Sequence, residues 1–193
     1  MARFLAVADL HGRDATLQAV RRLAEVQVPD AVILAGDLTS YGSTQEVRRI
    51  LDHLPGRVLA IPGNLDMTVA FDAAMEGGTA RSLLEGCVEV AGVRVAGPPR
   101  RRDGEWLPCE VLVVHEPPRG VLDDAGGGRH IGLVEHLDAV RRLRPLLLLC
   151  GHCHESPGIE VLGGTTVVNC SAGRDGRGAL VEIDGGRVVA RML

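Results

Sequence analysis

Short apolar runs punctuate the chain: RFLAVAD (3–9), DAVILAGD (30–37), RVLAIPGN (57–64), EVLVVHE (110–116) and PLLLLCGH (145–152). Each is strand-length and rich in Val, Leu or Ile, as expected of strands buried on both faces. Between several of them the apolar period lengthens to that of a helix. In DATLQAVRRLAEVQV (14–28), Asp14 can cap the start while Leu17, Val20, Ala24 and Val28 line one face. In GLVEHLDAVRRLRP (132–145), Leu133, Leu137, Val140 and Leu143 form the stripe and Pro145 stops the helix. STQEVRRILDHL (43–54) is a third helix. Strand alternating with helix predicts an α/β architecture. Towards the C-terminus, 87–97, 158–170 and 179–193 alternate with period two about Gly-containing turns and predict antiparallel hairpins, hence mixed sheets under helices. The segments 98–108 and 117–132 are expected to be surface loops. No repeat or linker divides the 193 residues, so one domain is expected.

The polar residues that end the apolar runs change the picture. The first run delivers Asp9 and His11, the second Asp37, the third Asn64, the fourth His115 and the fifth His152 and His154. In open α/β sheets the C-terminal strand ends converge on one edge, where ligands bind. Alternation in an extended chain would aim Asp9 with His11, and His152 with His154, at one site, while Leu10 and Cys153 turn away to pack. Taken singly, each residue has a plainer explanation as a cap, a turn or a buried histidine. Together they make a set of two carboxylates, four imidazoles and an amide oxygen, too many for one tetrahedral zinc. The set suits two adjacent divalent ions, with Mn, Fe, Co, Ni or Zn all compatible.

Composition removes other readings. The stretch CGHCH (150–154) also fits a haem-attachment pattern and a redox cysteine pair. The N-terminal apolar run is too short for a secretion signal, however, and five cysteines is an odd number, so free thiols in a reducing cytosol are expected. No apolar run reaches the ~20 residues needed to span a bilayer. A net charge of −4 gives no electrostatic footprint for long nucleic acids. Aromatic residues are only 2% of the chain, so the core must be aliphatic.

The blocks DLH, GDL, GNLD, VVHEPP and GHCH stand in the order found in calcineurin-like metallophosphoesterases, and the chain resembles small single-domain members of that family. The resemblance implies a four-layer αββα sandwich, two mixed β-sheets flanked by helices. It also implies one metal on Asp9, His11, Asp37 and His154, and a second on Asp37, Asn64, His115 and His152, with Asp37 bridging. A water or hydroxide between the ions would attack phosphorus in a phosphodiester or nucleotide of modest size. Asn64 would also touch substrate.

One departure stands out. Many family members carry a histidine directly after the Asn of the GN block to protonate the leaving group, oriented by the next acidic residue. Here Leu65 fills that slot, although Asp66 remains. General acid catalysis is typically worth ~10²–10⁴-fold. His130, in the Gly-rich loop GGGRHIG, is the candidate replacement, and Arg100 of the cluster Arg100-Arg101-Arg102 is a candidate phosphate contact. The expectation is a cytoplasmic, Mn²⁺-favouring phosphodiesterase. A phosphomonoesterase and a non-catalytic scaffold of the same fold are the alternatives.

Overall fold

The computed structural model describes residues 1–100, 104–172 and 178–193. In chain order the elements are β1 (Ala2–Val7), α1 (Asp14–Gln27), β2 (Ala31–Ala35), α2 (Thr44–His53), β3 (Val58–Ile61), α3 (Thr68–Met75), β4 (Arg81–Ser82), β5 (Val88–Val90), β6 (Val93–Ala96), β7 (Val111–Val113), α4 (Val134–Leu143), β8 (Leu147–Cys150), β9 (Gly158–Leu162), β10 (Thr165–Asn169), β11 (Ala179–Asp184) and β12 (Arg187–Met192). Two six-stranded sheets result, ordered β12-β11-β1-β2-β3-β4 and β5-β6-β7-β8-β10-β9. In the first sheet β1 to β4 run parallel and β11 and β12 join antiparallel. In the second, β6, β7, β8 and β10 run parallel, with β5 and β9 antiparallel. The three predicted hairpins are β5–β6, β9–β10 and β11–β12.

Side-chain alternation along the strands decides the layers. Phe4, Ile33, Leu59 and Ile61 of the first sheet pack against Val95, Val111, Val113, Leu147 and Leu149 of the second. The opposite face of the first sheet, with Leu5, Val7, Val32 and Leu34, meets Leu17 and Val20 of α1, Val47 and Ile50 of α2 and Phe71 of α3. The outer face of the second, with Leu112, Leu148 and Val167, is covered by Ala139 and Val140 of α4 together with Trp106. Each fully buried aliphatic side chain contributes about 1.5–3 kcal/mol, and the four layers αββα follow from where these faces point.

Several local expectations need correction. Asp14 does not cap α1: Arg13 is the N-cap residue without a side-chain bond, and Asp14 lies in the first turn, ion-paired with Arg49. Val28 is not on the buried stripe but exposed, in the left-handed C-cap. On α4 the buried face is His136, Ala139 and Val140, while Leu133 lies outside the helix and exposed. Helix α4 ends at Leu143, with Arg144 as a left-handed C-cap before Pro145. Helix α2 begins with a reciprocal Ser43–Glu46 capping box. The loops 98–108 and 117–132 are not merely surface: Trp106 and Val121 are buried, and Trp106 packs edge-on against His136.

Candidate metal centre

The parallel strands β1, β2 and β3 are neighbours in one sheet, and β7 and β8 are neighbours in the other. Just past their C-terminal ends a parallel bridge between Ala8 and Ser171 stitches the two sheets together. The two sheets therefore deliver their strand ends to a single edge.

There all seven predicted ligands meet. Donor atoms of Asp9, His11 and His154 lie within 4.8 Å of one another, as do those of Asp9, Asp37 and His115. Among the described residues these are the two such groups of His, Cys, Asp or Glu. Asn64 joins the second group, its Oδ1 3.0 Å from His115 Nε2 and 2.8 Å from His152 Nδ1. The carboxylate common to both groups is Asp9; Asp37, the bridge implied by resemblance, falls in the buried group.

The route by which these side chains converge differs from the expected strand alternation. Asp9 (φ 62°), His11 (50°), Asp37 (50°) and His152 (65°) all adopt left-handed backbone. That conformation costs a non-glycine residue roughly 1–2 kcal/mol, and such strain persists only where the surroundings impose it. Here they do. Asp9 N donates to Gly36 O, His11 N to Asp37 O and Gly12 N to Leu38 O, locking the two loops side by side. Gly36 and Gly63 are required for a related reason: a Cβ on Gly36 would overlap the His115 ring, and one on Gly63 would overlap the Asp37 carboxylate. Leu10, Cys150 and Cys153 are buried, and no disulfide forms among the described residues.

The hydrogen-bond chemistry fits a cation. His115 Nδ1 faces the Ala35 carbonyl at 2.9 Å and must donate to it. In the neutral ring Nε2 then presents a lone pair to two further acceptors, Asn64 Oδ1 and Asp37 Oδ1, the latter at 3.5 Å. Similarly, His11 Nε2 and His154 Nε2 face each other at 3.3 Å, with Asp9 Oδ1 3.4 Å from the latter. Metal–ligand bonds of ~2.0–2.2 Å set neighbouring donor atoms about 3 Å apart, which matches these edges. The electrostatics agree. Burial pushes His115 down, but Asp37 and Asp9 outweigh it and raise its pKa to about 9. Burial pushes Asp9 up, yet His154, His115 and Ser171 hold its carboxyl below the usual range. Asp37 is lowered likewise, against burial, by His115 and the Leu65 N–H. His154 is raised by Asp9, whereas burial and the charge on His115 lower His152.

The remaining candidates stand apart from the ligands. Asp66 accepts four hydrogen bonds, from Leu38 N and Gly63 N on Oδ2 and from Thr39 N and Thr39 Oγ1 on Oδ1. It clamps the Asp37 loop to the Asn64 loop and is a positioning residue. Arg100 makes a two-pronged ion pair with Asp72 of α3, and Arg101 and Arg102 lie outside the described residues. His130 is half-exposed on its loop, Nδ1 2.7 Å from Asp123 Oδ1.

Sequence reasoning missed the braces behind the ligands. Ser40 Oγ lies 3.2 Å from His11 Nδ1, and Arg13 donates to the carbonyls of Asp9 and Leu10. His136 Nδ1 donates to Glu116 O, directly after His115. Asn169, fully buried, donates to Leu122 O and Cys153 O and so latches loop 117–132 to the turn between His152 and His154.

A family model for the calcineurin-like phosphoesterase superfamily domain matches residues 2–179. The chain belongs to that superfamily. Metallophosphoesterase domain-containing protein 1 of Homo sapiens is 28% identical across 88% of this chain and 65% of its own length, so this chain spans about two thirds of that relative. The crystal structure of TT1561 of Thermus thermophilus aligns with a TM-score of 0.72 at 18% identity, covering 99% of this chain and 98% of that one. A novel archaeal phosphodiesterase aligns at 0.62 and 14% identity over 99% of both chains. Likeness at those identities shows a shared phosphoesterase fold. The superfamily implies divalent metal ions, and the two ligand groups are where this chain would hold them.

Proposed function

We propose that this chain is a binuclear metal-dependent phosphodiesterase acting on a phosphodiester or nucleotide of modest size, not on long nucleic acid. The observation that carries the reading is the convergence of seven nitrogen and oxygen donors from five strand ends into two contiguous groups. Asp9, His11 and His154 would hold one ion and Asn64, His115 and His152 the other, with Asp37 as the bridging ligand. The mixed N/O set favours Mn²⁺, with Fe, Zn, Ni or Co compatible. Two such ions, when bound, supply a hydroxide nucleophile at neutral pH and neutralise charge on the phosphoryl oxygens.

The protein's part is orientation and proton handling. The Ala35 carbonyl fixes the His115 tautomer and leaves Nε2 free to ligate, an outer-shell partner of the kind that orients metal-bound histidines. Asn64 stands at the exposed face of the buried group, where it can also meet a substrate oxygen. Leu65 cannot donate a proton. His130 takes that role in this reading, supported by its Asp123 partner and by the Asn169 latch that ties its loop to the metal turn. Arg100 is a weaker substrate contact, because Asp72 already neutralises its charge. Among the described residues no helix is long and apolar enough to cross a membrane, and a cytoplasmic location is part of the proposal.

The test is hydrolysis of bis-p-nitrophenyl phosphate and p-nitrophenyl phosphate by metal-stripped protein resupplied with Mn²⁺. Diester turnover is expected, falling to the metal-free level in Asp37→Asn. Preference for the monoester would make the protein a phosphomonoesterase, and no turnover of either ester would favour a scaffold. For His130→Ala the expected loss is up to ~10²-fold on alkyl esters, whose leaving groups need a proton, with little change on p-nitrophenyl esters. Equal loss on both would remove His130 from the acid role.

A further inference from the structure

Ser171 is a buried residue with an unexplained hydroxyl. It is 6% exposed, and its Oγ has no hydrogen-bond partner among the described residues. Buried hydroxyls are ordinarily paired, and an unpaired one lowers stability. Its place in the fold is set from several sides. Ala8 and Ser171 face each other in the parallel bridge, bracketed by Ala8 N donating to Cys170 O at 3.1 Å and Ala172 N to Ala8 O at 2.9 Å. The Ser171 N–H donates to Asn169 Oδ1 at 3.1 Å. Gly151 lies against both Ala8 and Asp9, so close that a Cβ there would sit 2.7 Å from Asp9 Oδ2. Ser171 thus stands opposite the residue that precedes Asp9, with its buried hydroxyl unpartnered among the described residues.

The two oxygens of Asp9 share the His152 N–H, Oδ2 at 3.0 Å and Oδ1 at 3.3 Å, and Oδ1 also faces His154 Nε2 at 3.4 Å. A partial turn of the carboxylate about its Cβ–Cγ bond would carry both oxygens out of these places and withdraw a ligand from the His11–His154 side. We propose that Ser171 is a positioning residue of the half-open ion site, its Oγ–H donating to the Asp9 carboxylate as that group turns to the ion and thereby fixing the plane in which the carboxylate ligates. Outer-shell partners of metal ligands typically contribute 10–100-fold in metal affinity. In the metal-free protein the hydroxyl has no partner among the described residues, so its removal should not lower stability. The inference rests on the metal-centre reading above.

The experiment compares Mn²⁺ binding by equilibrium dialysis, and thermal unfolding of the metal-free state, in wild type and Ser171→Ala. The nearly isosteric variant should fold and melt at the same or a higher temperature without metal. One of its two Mn²⁺ affinities should fall about 10–100-fold and the other stay unchanged. If wild type binds two ions and the variant binds both equally well, the role of Ser171 is overturned while the metal centre stands. A lowered melting temperature with unchanged Mn²⁺ affinity overturns it too, since the hydroxyl is then only structural. If wild type binds no Mn²⁺ at all, the metal-centre reading fails and this inference with it.

Discussion

The two halves of the candidate centre are built differently. Asp37 and His115 are buried, as is Asp9, which both groups share, and the loops behind them are fastened by backbone carbonyls and by the fourfold clamp of Asp66. His11 is partly exposed and His154 exposed, its side chain at 42%, and they are steadied by single contacts such as Ser40 on His11. A ligand set fixed before an ion arrives loses less entropy on binding than one that must be ordered. The buried half should therefore hold its ion more tightly, and the open half should be where metal exchanges and substrate approaches.

The largest test of that contrast is a methyl group. In Gly63→Ala the added Cβ would overlap the Asp37 carboxylate and the Asp37 backbone nitrogen. Backbone cannot swing aside, so the cost should reach about 3 kcal/mol, the upper end for overpacking, and one Mn²⁺ should be lost. On the open side, Gly12 (φ +69°) has nothing within 4 Å of its missing Cβ. Gly12→Ala should cost only about 1–2 kcal/mol from its left-handed backbone and leave both ions bound. Urea unfolding of the two variants checks the order. Equal costs would mean that the buried half is not the more rigid one.

A smaller effect separates clamping from chemistry at Asp66. In Asp66→Asn an amide NH₂ must face N–H groups that now donate to a carboxylate, at a cost of about 2 kcal/mol. As a positioning residue, Asp66 should raise the Mn²⁺ concentration needed for half-maximal turnover when replaced and leave the pH optimum in place. A displaced pH–rate profile at saturating Mn²⁺ would return Asp66 to a role in proton transfer.

These contrasts also mark what the sequence makes legible. The buried strands carry their own signal, since runs such as AVILA and LLLLC have few other uses, and the ligands are visible because each terminates such a run. Helix α3 carries no comparable signal. Its sequence TVAFDAAM has small apolar residues on every side, so no stripe betrays it even though Phe71 and Ala74 are buried. The left-handed turns at Asp9 and His11 resemble extended strand in sequence, because alternation is a local rule and the turn is imposed by the neighbouring loop of Asp37. Asn169 and His136 are silent for a similar reason: their partners lie far along the chain. Arg100 invites a phosphate reading because its partner, Asp72, belongs to the helix without a stripe.

The smallest effect concerns the loop that flanks the open half. Asp123 is buried at its base and accepts hydrogen bonds from Gly120 N, Gly132 N and His130 Nδ1. Burial pushes its carboxyl up, but the Gly120 N–H, His130 and the Gly132 N–H together hold it below the usual range. A carboxyl lowered by folding stabilises the folded state above its unfolded value, about 3.9, and loses that contribution as pH falls through the lower native value. The stability advantage of wild type over Asp123→Asn in urea should thus be constant at neutral pH and shrink below about pH 4. Loop 117–132 should become the preferred protease site over the same range, while the buried half of the centre, which Asp123 does not touch, keeps its protection. An advantage that persists undiminished to about pH 2, below both values, would show that Asp123 acts through shape rather than charge, and that the loop is not held by its carboxylate.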